Sequence, residues 1–284
     1  MDYRLTMVPL LTVERGYIGL AGFFLLLLLE AVWPFKRPVE SRWRRYAINL
    51  FIAGSNALLL SVLLGSLIVS AYHSFELHRF GLLHRLGIDS WWNVLLTVVC
   101  LDGVTYAWHR AYHGLPLLWR MHRVHHSDRD LDVTTSGRFH LLEMVLSAIF
   151  RLGVIALLGA TVAGVVMFEI VFGLLNQLEH SNLRIPEPFE TALRWVFVTP
   201  DMHRLHHSQE QAHTNSNYST IFSWWDRLLG TYVFGPEQRA LTIGLPEYRQ
   251  PGDVAFGKVL TMPFGLPCEF ARQPTVPSAP VVAG

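Results

Sequence analysis

Charge is what this sequence is short of. Of its 284 residues, 16% are Asp, Glu, Lys or Arg, against about 25% in ordinary soluble domains. The net charge is +1, so there is no basic excess to neutralise a phosphate backbone, and a nucleic-acid partner is excluded. Cysteine is scarcer still. Cys100 and Cys268 are the only two; they cannot build a disulfide scaffold or a Cys-x-x-Cys site, and both are expected as free thiols. The sequence also lacks a Gly-x-Gly-x-x-Gly dinucleotide fingerprint, a Cys-x-x-Cys-His haem attachment, an iron–sulfur cysteine set and a His-Glu-x-x-His zinc motif.

Apolar length stands in place of charge. Hydrophobic residues make up 51% of the chain, and the mean hydropathy is +0.30. The first long run, Tyr17 to Phe35, would span roughly 27 Å as a helix, close to the thickness of bilayer hydrocarbon. It reads as a membrane span rather than a secretory leader, because no Ala-x-Ala-like site follows and the positive charges come after it. Further spans are expected from about Tyr46 to Tyr72 and from Ser90 to Trp108, with Trp91, Trp92 and Trp108 at the ends of the latter. The stretch from Glu143 to Asn176 is too long for one crossing, and Gly159 to Gly164 offers a break, so it reads as a helical hairpin. Arg151 and Glu169 fall inside its arms and are expected to face the bundle interior and pair. Lys36, Arg37, Arg42, Arg44 and Arg45 put the first loop in the cytoplasm, which carries the segment beginning at His109 to the same side.

The expected fold is all-α: a polytopic membrane bundle of four or five crossing or re-entrant helices under a cytoplasmic, histidine-rich helical cap. Three regions are expected: N-terminal spans and loops over 1–91, a functional unit over 92–240, and a tail over 241–284 that is rich in Pro and small residues and disordered from about Pro263.

Histidine is the residue in excess. Of 14 histidines, 11 lie between His109 and His213. Residues i, i+3 and i+4 share a helical face. His109 and His113 can therefore point together, as can His122 with His125 and His126, and His203 with His206 and His207. With His180 this makes nine imidazoles, more than one metal can bind and enough for two. Neutral imidazole is the commonest metal ligand, and an all-nitrogen shell suits Zn, Cu, Fe or Ni rather than Mg or Ca. His73, His78 and His84 have no partner spacing and are read as ordinary loop residues, and His213 as a non-ligand. His140 is open between ligand, ligand support and helix start. Asp102 lies seven residues before His109 on the same helical face and is a candidate to orient an imidazole. Asp128, Asp130, Glu143 and Asp226 are weaker candidates for that role. Three chemistries fit these residues: an O₂-dependent metalloenzyme, a zinc-dependent membrane hydrolase, and a metal or proton transporter using histidines as carriers.

The spacing and flanks resemble the fatty acid hydroxylase/sterol desaturase superfamily. The matching elements are His109-x3-His113, His122-x2-His125-His126, His180 and His203-x2-His206-His207. Flanks similar to bacterial members include Pro116-Leu-Leu-Trp119, His125-His-Ser-Asp128, His180-Ser-Asn182, Thr199-Pro-Asp-Met-His203, Asn217-Tyr218 and Trp225-Asp-Arg-Leu-Leu-Gly-Thr-Tyr232. The likeness covers roughly residues 92–235. It implies a bacterial inner-membrane enzyme with two non-haem Fe ions held by the box histidines. It implies O₂ as co-substrate and hydroxylation or desaturation of a lipid C–H bond. Electrons would then come from a separate reductase, ferredoxin, cytochrome or pterin. Some members carry a further histidine four residues before the one matching His180; this chain has Asn176 there, a candidate ligand or ligand support.

Overall fold

The computed structural model describes residues 3–265, apart from 89 and 236. The chain order is α1 (Tyr3–Val32), α2 (Arg42–Leu77), α3 (Leu82–Arg85), α4 (Ser90–Gly114), α5 (Pro116–His126), α6 (Leu141–Leu158) and α7 (Val162–His180). The shorter α8 (Phe189–Leu193), α9 (Pro200–His206), α10 (Gln211–Thr214), α11 (Trp224–Leu228) and α12 (Phe256–Thr261) complete it. Among the described residues there is no strand, only two isolated β-bridges.

Four helices are long and apolar enough to cross a membrane: Glu14–Val32 within α1, Arg42–Tyr72 within α2, and all of α6 and α7. Helix α4, expected as an apolar span over its first nineteen residues, is not one of them. It forms and runs the full depth of the bundle, but as its shielded centre, packed chiefly on α7. Asn93, Thr97 and Asp102 are buried along it, and their polar groups lower its hydropathy because neighbouring helices, not lipid, surround them. At one end Asn93 donates to Gly159 O (3.1 Å) and accepts from Thr161 N (3.0 Å). At the other, His109 enters the histidine cluster.

The expected hairpin is present, and local chemistry sets its turn. Helix α6 stops at Gly159, whose φ of 74° is left-handed and whose backbone lies against Gly81. A Cβ on either glycine would collide with the other's backbone. Thr161 then caps α7 by accepting from Gly164 N. The apolar core between α4, α6 and α7 centres on Leu101, Ile155, Val165 and Phe168, with Ile221 from the cap closing it.

A buried polar network fastens the cap to the first loop. Arg45 at the start of α2 pairs with Asp128 (2.8 Å) and with Asp132. Asp128 also accepts from Asn49 (3.0 Å) and Thr135 (2.9 Å), and Arg138 joins Asn49, Val124 O and Ser127. Burial alone would push the Asp128 carboxyl up; Arg45, Arg138 and Asn49 outweigh it and hold it well below the usual carboxylate range. Asp130 accepts from Val39 N and Glu40 N. Asp128 and Asp130 are therefore loop anchors rather than partners of the imidazoles. Past residue 240 the chain stays packed, with Leu241, Ile243, Leu245, Val259 and Met262 buried. Cys100 is a free thiol. Cys268 and the stretch after Gly265 in the tail expected to be disordered lie outside the described residues.

Candidate metal centre

Four helices converge on one point. The end of α4 supplies His109 and His113, and α5 supplies His122, His125 and His126. His180 is the last residue of α7, and α9 brings His203 and His206, with His207 as its cap. Pro116 starts α5 and Thr199-Pro200 starts α9, with Thr199 Oγ1 accepting from Met202 N. These starts set the registers of the two HxxHH boxes.

The nine imidazoles divide into two groups. His109, His113, His122, His126 and His206 form one; His125, His180, His203 and His207 form the other. Within each group one nitrogen per residue lies within 4.8 Å of all the others. The i+3 and i+4 members of each box go to different groups, so each HxxHH serves both.

Hydrogen bonds fix which nitrogen faces inward. Nδ1 of His109 donates to Tyr218 O (2.8 Å), Nδ1 of His206 to Ser216 O (2.7 Å) and Nδ1 of His180 to Asn176 O (2.7 Å). Nδ1 of His122 meets Glu143 Oε1 at 2.6 Å. With Nδ1 protonated, Nε2 carries a lone pair. The Nε2 atoms of His109 and His122 then face each other at 3.1 Å, a repulsive arrangement that a cation between them relieves. His126 Nε2, His206 Nε2, His125 Nδ1, His203 Nδ1 and His207 Nδ1 are buried without a hydrogen-bond partner, which native interiors rarely tolerate. Burial holds His109 down at about 4 and His122, His125, His126, His203, His206 and His207 well below the usual histidine range, so all are neutral donors near pH 7. The donor set fits two transition-metal ions, one per group.

Beside the cluster lies a cavity of about 540 Å³ between α2, α4, α6 and α7. His109, His122, His125, His180 and His203 line one end, and its walls are mainly apolar. That volume suits a small-molecule site. Phe139 stacks on the His125 ring at 4.3 Å, and Tyr112 on the His122 ring at 5.3 Å.

Residues 94–231 match the model of the fatty acid hydroxylase family. That stretch is a fatty acid hydroxylase domain. It is 33% identical over 160 residues to the ornithine lipid hydroxylase OlsE of Rhizobium tropici, covering 55% of this chain and 47% of that one. It is 28% identical over 227 residues to the alkylglycerol monooxygenase of Xenopus tropicalis (78% and 48%), and 27% identical over 154 residues to the cholesterol 25-hydroxylase of Rattus norvegicus (54% and 50%). The chain spans about half the length of the curated relatives it matches. No solved structure matches it.

The remaining candidates around this hydroxylase domain take other places. His140 caps α6, accepting from Leu142 N and contacting Leu260 O, outside both groups. Asp102 accepts from Ile221 N, Phe222 N and Trp225 Nε1 and touches no box histidine; it faces the cap segment because three donors there satisfy its buried carboxylate. Asn176 acts through its main-chain carbonyl, which accepts from His180, while its side chain donates to Ser136 O. Asp226 works at one remove. It accepts from Tyr218 N, Ser219 N and Thr231 Oγ1, and Asn217, at φ 52°, bonds Met202 O and both main-chain groups of Val233. Together they stiffen the turn whose Ser216 and Tyr218 carbonyls orient His206 and His109.

Sequence reasoning undervalued Glu143 and missed Glu179 and those two carbonyls. Glu179 stands 3.8 Å from both His180 and His203. Its adjacency to His180 was a signal; main-chain carbonyls carry none. Glu169 pairs with Arg15 of α1, not with Arg151.

Proposed function

We propose that this chain is a membrane-bound, O₂-dependent lipid oxygenase that hydroxylates, or desaturates, a C–H bond of a lipid held in the cavity. The observation that carries this is nine histidines, seven of them buried and two half-buried, in two groups beside an apolar cavity within a membrane-suited bundle. The hydroxylase domain and the named activities of the relatives support it.

Two Fe ions would be held by His109, His113, His122, His126 and His206, and by His125, His180, His203 and His207. Bound iron with O₂ would supply the oxidising chemistry that an unactivated C–H bond requires. The chain's own residues do the rest. Glu143 and the carbonyls of Tyr218, Ser216 and Asn176 keep Nδ1 protonated and Nε2 turned inward. Phe139 and Tyr112 hold the rings of His125 and His122 in place. The walls of α2, α4, α6 and α7 exclude water and seat an apolar chain beside the cluster. We assign the electron supply to a separate reductase, ferredoxin, cytochrome or pterin, since this sequence has no flavin, haem or iron–sulfur motif. We place the cap at the cytoplasmic face of a bacterial inner membrane; Lys36, Arg37, Arg42 and Arg44 flank the same end of the bundle as the histidines. We take 92–240 as the catalytic unit.

The test is anaerobic purification in detergent with metal counted per chain, beside a lipid comparison of cells expressing wild type and His206→Ala. About two irons per chain and an O₂-dependent lipid product lost in the variant are expected. One added oxygen atom marks hydroxylation; loss of two hydrogens marks desaturation. Zinc alone, with identical lipids in both cells, overturns the proposal.

A further inference from the structure

The cavity has a second, charged end. Glu143, bound to His122, and Arg151 both lie on α6 and both line it. They are eight residues apart, a rise of roughly 12 Å. Ser147 and Val154 line it too, so one face of α6 forms a continuous wall from the histidines to the guanidinium. Arg15 and Glu169 close the same end and neutralise each other as an ion pair. Arg151 has no hydrogen bond or ion pair among the described residues. Its guanidinium lies over the rings of Phe168 and Phe172, at 5.6 and 5.4 Å. Two cations and one anion leave one positive charge over, at the eleventh of the eighteen residues of a helix apolar enough to cross a membrane. Charges at that depth face cavities and find partners. None of the described residues supplies the partner of this one.

We propose that Arg151 is the anchor for the carboxylate of a single-chain lipid acid, holding that end of the molecule while its apolar chain runs along α6 to the histidines. A guanidinium takes a carboxylate through two parallel hydrogen bonds. The two aromatic faces leave its edge free for this. A carboxylate is favoured over a phosphate because it reaches this depth as the neutral acid and ionises against the guanidinium, whereas a phosphate ester keeps a charge throughout. The separation makes Arg151 a ruler. At about 1.2 Å per bond of extended chain, roughly ten bonds separate the anchored carboxylate from the carbon beside the cluster. The inference rests on the cavity being the lipid site proposed above, but binding can be measured without turnover, so the two fail separately.

The experiment is equilibrium binding of dodecanoate, its methyl ester and dodecyl phosphate to the full-length protein in nanodiscs of zwitterionic lipid. Wild type, Arg151→Met, Arg151→Lys and Glu169→Gln are compared, and each variant is first checked by size exclusion and thermal unfolding. Dodecanoate is expected to bind saturably, at least tenfold more weakly to Arg151→Met, with partial recovery in Arg151→Lys. Glu169→Gln leaves two positive charges over and is expected to tighten dodecanoate binding severalfold. If Arg151→Met does not fold, the Glu169→Gln result decides. Undiminished binding to Arg151→Met, including binding through metal alone, overturns the proposal. So does a methyl ester or alkyl phosphate that binds as tightly as the acid, or a Glu169→Gln variant that binds no better.

Discussion

Glu143 shows how one residue can matter without touching the reacting atoms. Its carboxylate accepts from His122 Nδ1 at 2.6 Å, which fixes the ring and raises the basicity of Nε2. Glu143→Ala removes that acceptor and leaves a buried imidazole N–H unpaired. Metal affinity is expected to fall by about 10–100-fold, the usual cost of losing such a partner, as read by the rate of metal transfer to a chelator. Glu143→Gln keeps an acceptor oxygen and should lose less. Equal retention in wild type and Glu143→Ala would show that the contact plays no part in holding metal. At this scale the sequence was legible where a side chain carries the chemistry. Eight histidines announced themselves by i, i+3, i+4 spacing and His180 by its likeness to the family's pattern, and all nine converge. It was opaque where the main chain does the work: Tyr218 and Ser216 act through carbonyls that any residue possesses. Asp102 misled for a related reason. Helical phase placed it near His109, but phase does not say that three donors from residues 221–225 pack against its face.

Among the elements, α2 does more than span. Its first turn carries Arg45 into the loop after the His125-His126 pair, where Asp128 and Asp132 receive it. Arg45→Ala would strand two buried carboxylates, and breaking a buried pair from one side costs about 3–5 kcal/mol. The expected outcome is a large drop in thermal stability, with metal loss preceding helix unfolding because the network borders α5. A variant as stable as wild type would mean that water replaces the guanidinium. The long helices were readable from apolar runs, and the hairpin break from Gly159 and Gly164; the Thr161 cap was not. The character of α4 was not: hydropathy counts side chains one by one, whereas Asn93, Thr97 and Asp102 are tolerated because of what later packs around them.

For the whole molecule, orientation is the property most open to direct measurement. Leu228 is 73% exposed on the histidine-cap side, and Leu86 is 62% exposed beyond the opposite ends of α2 and α4. In a background without Cys100 and Cys268, Leu86→Cys is expected to react with a membrane-impermeant maleimide on intact spheroplasts. Leu228→Cys is expected to react only after lysis. The reverse pattern would place the histidines outside. The shielded centre of the bundle also bears on how the chain is made. Asp102, in the middle of α4, takes its three partners from residues 119 to 123 positions later, and α7, which covers α4, is likewise still to come. A charged Asp at the centre of a lone helix opposes insertion by about 3 kcal/mol. During synthesis α4 therefore emerges before anything exists to shelter it, and its entry into the bilayer must await the hairpin. The assembly order of this protein is not the order of its sequence, and a ribosome-stalled chain ending before residue 160 should leave α4 outside the lipid.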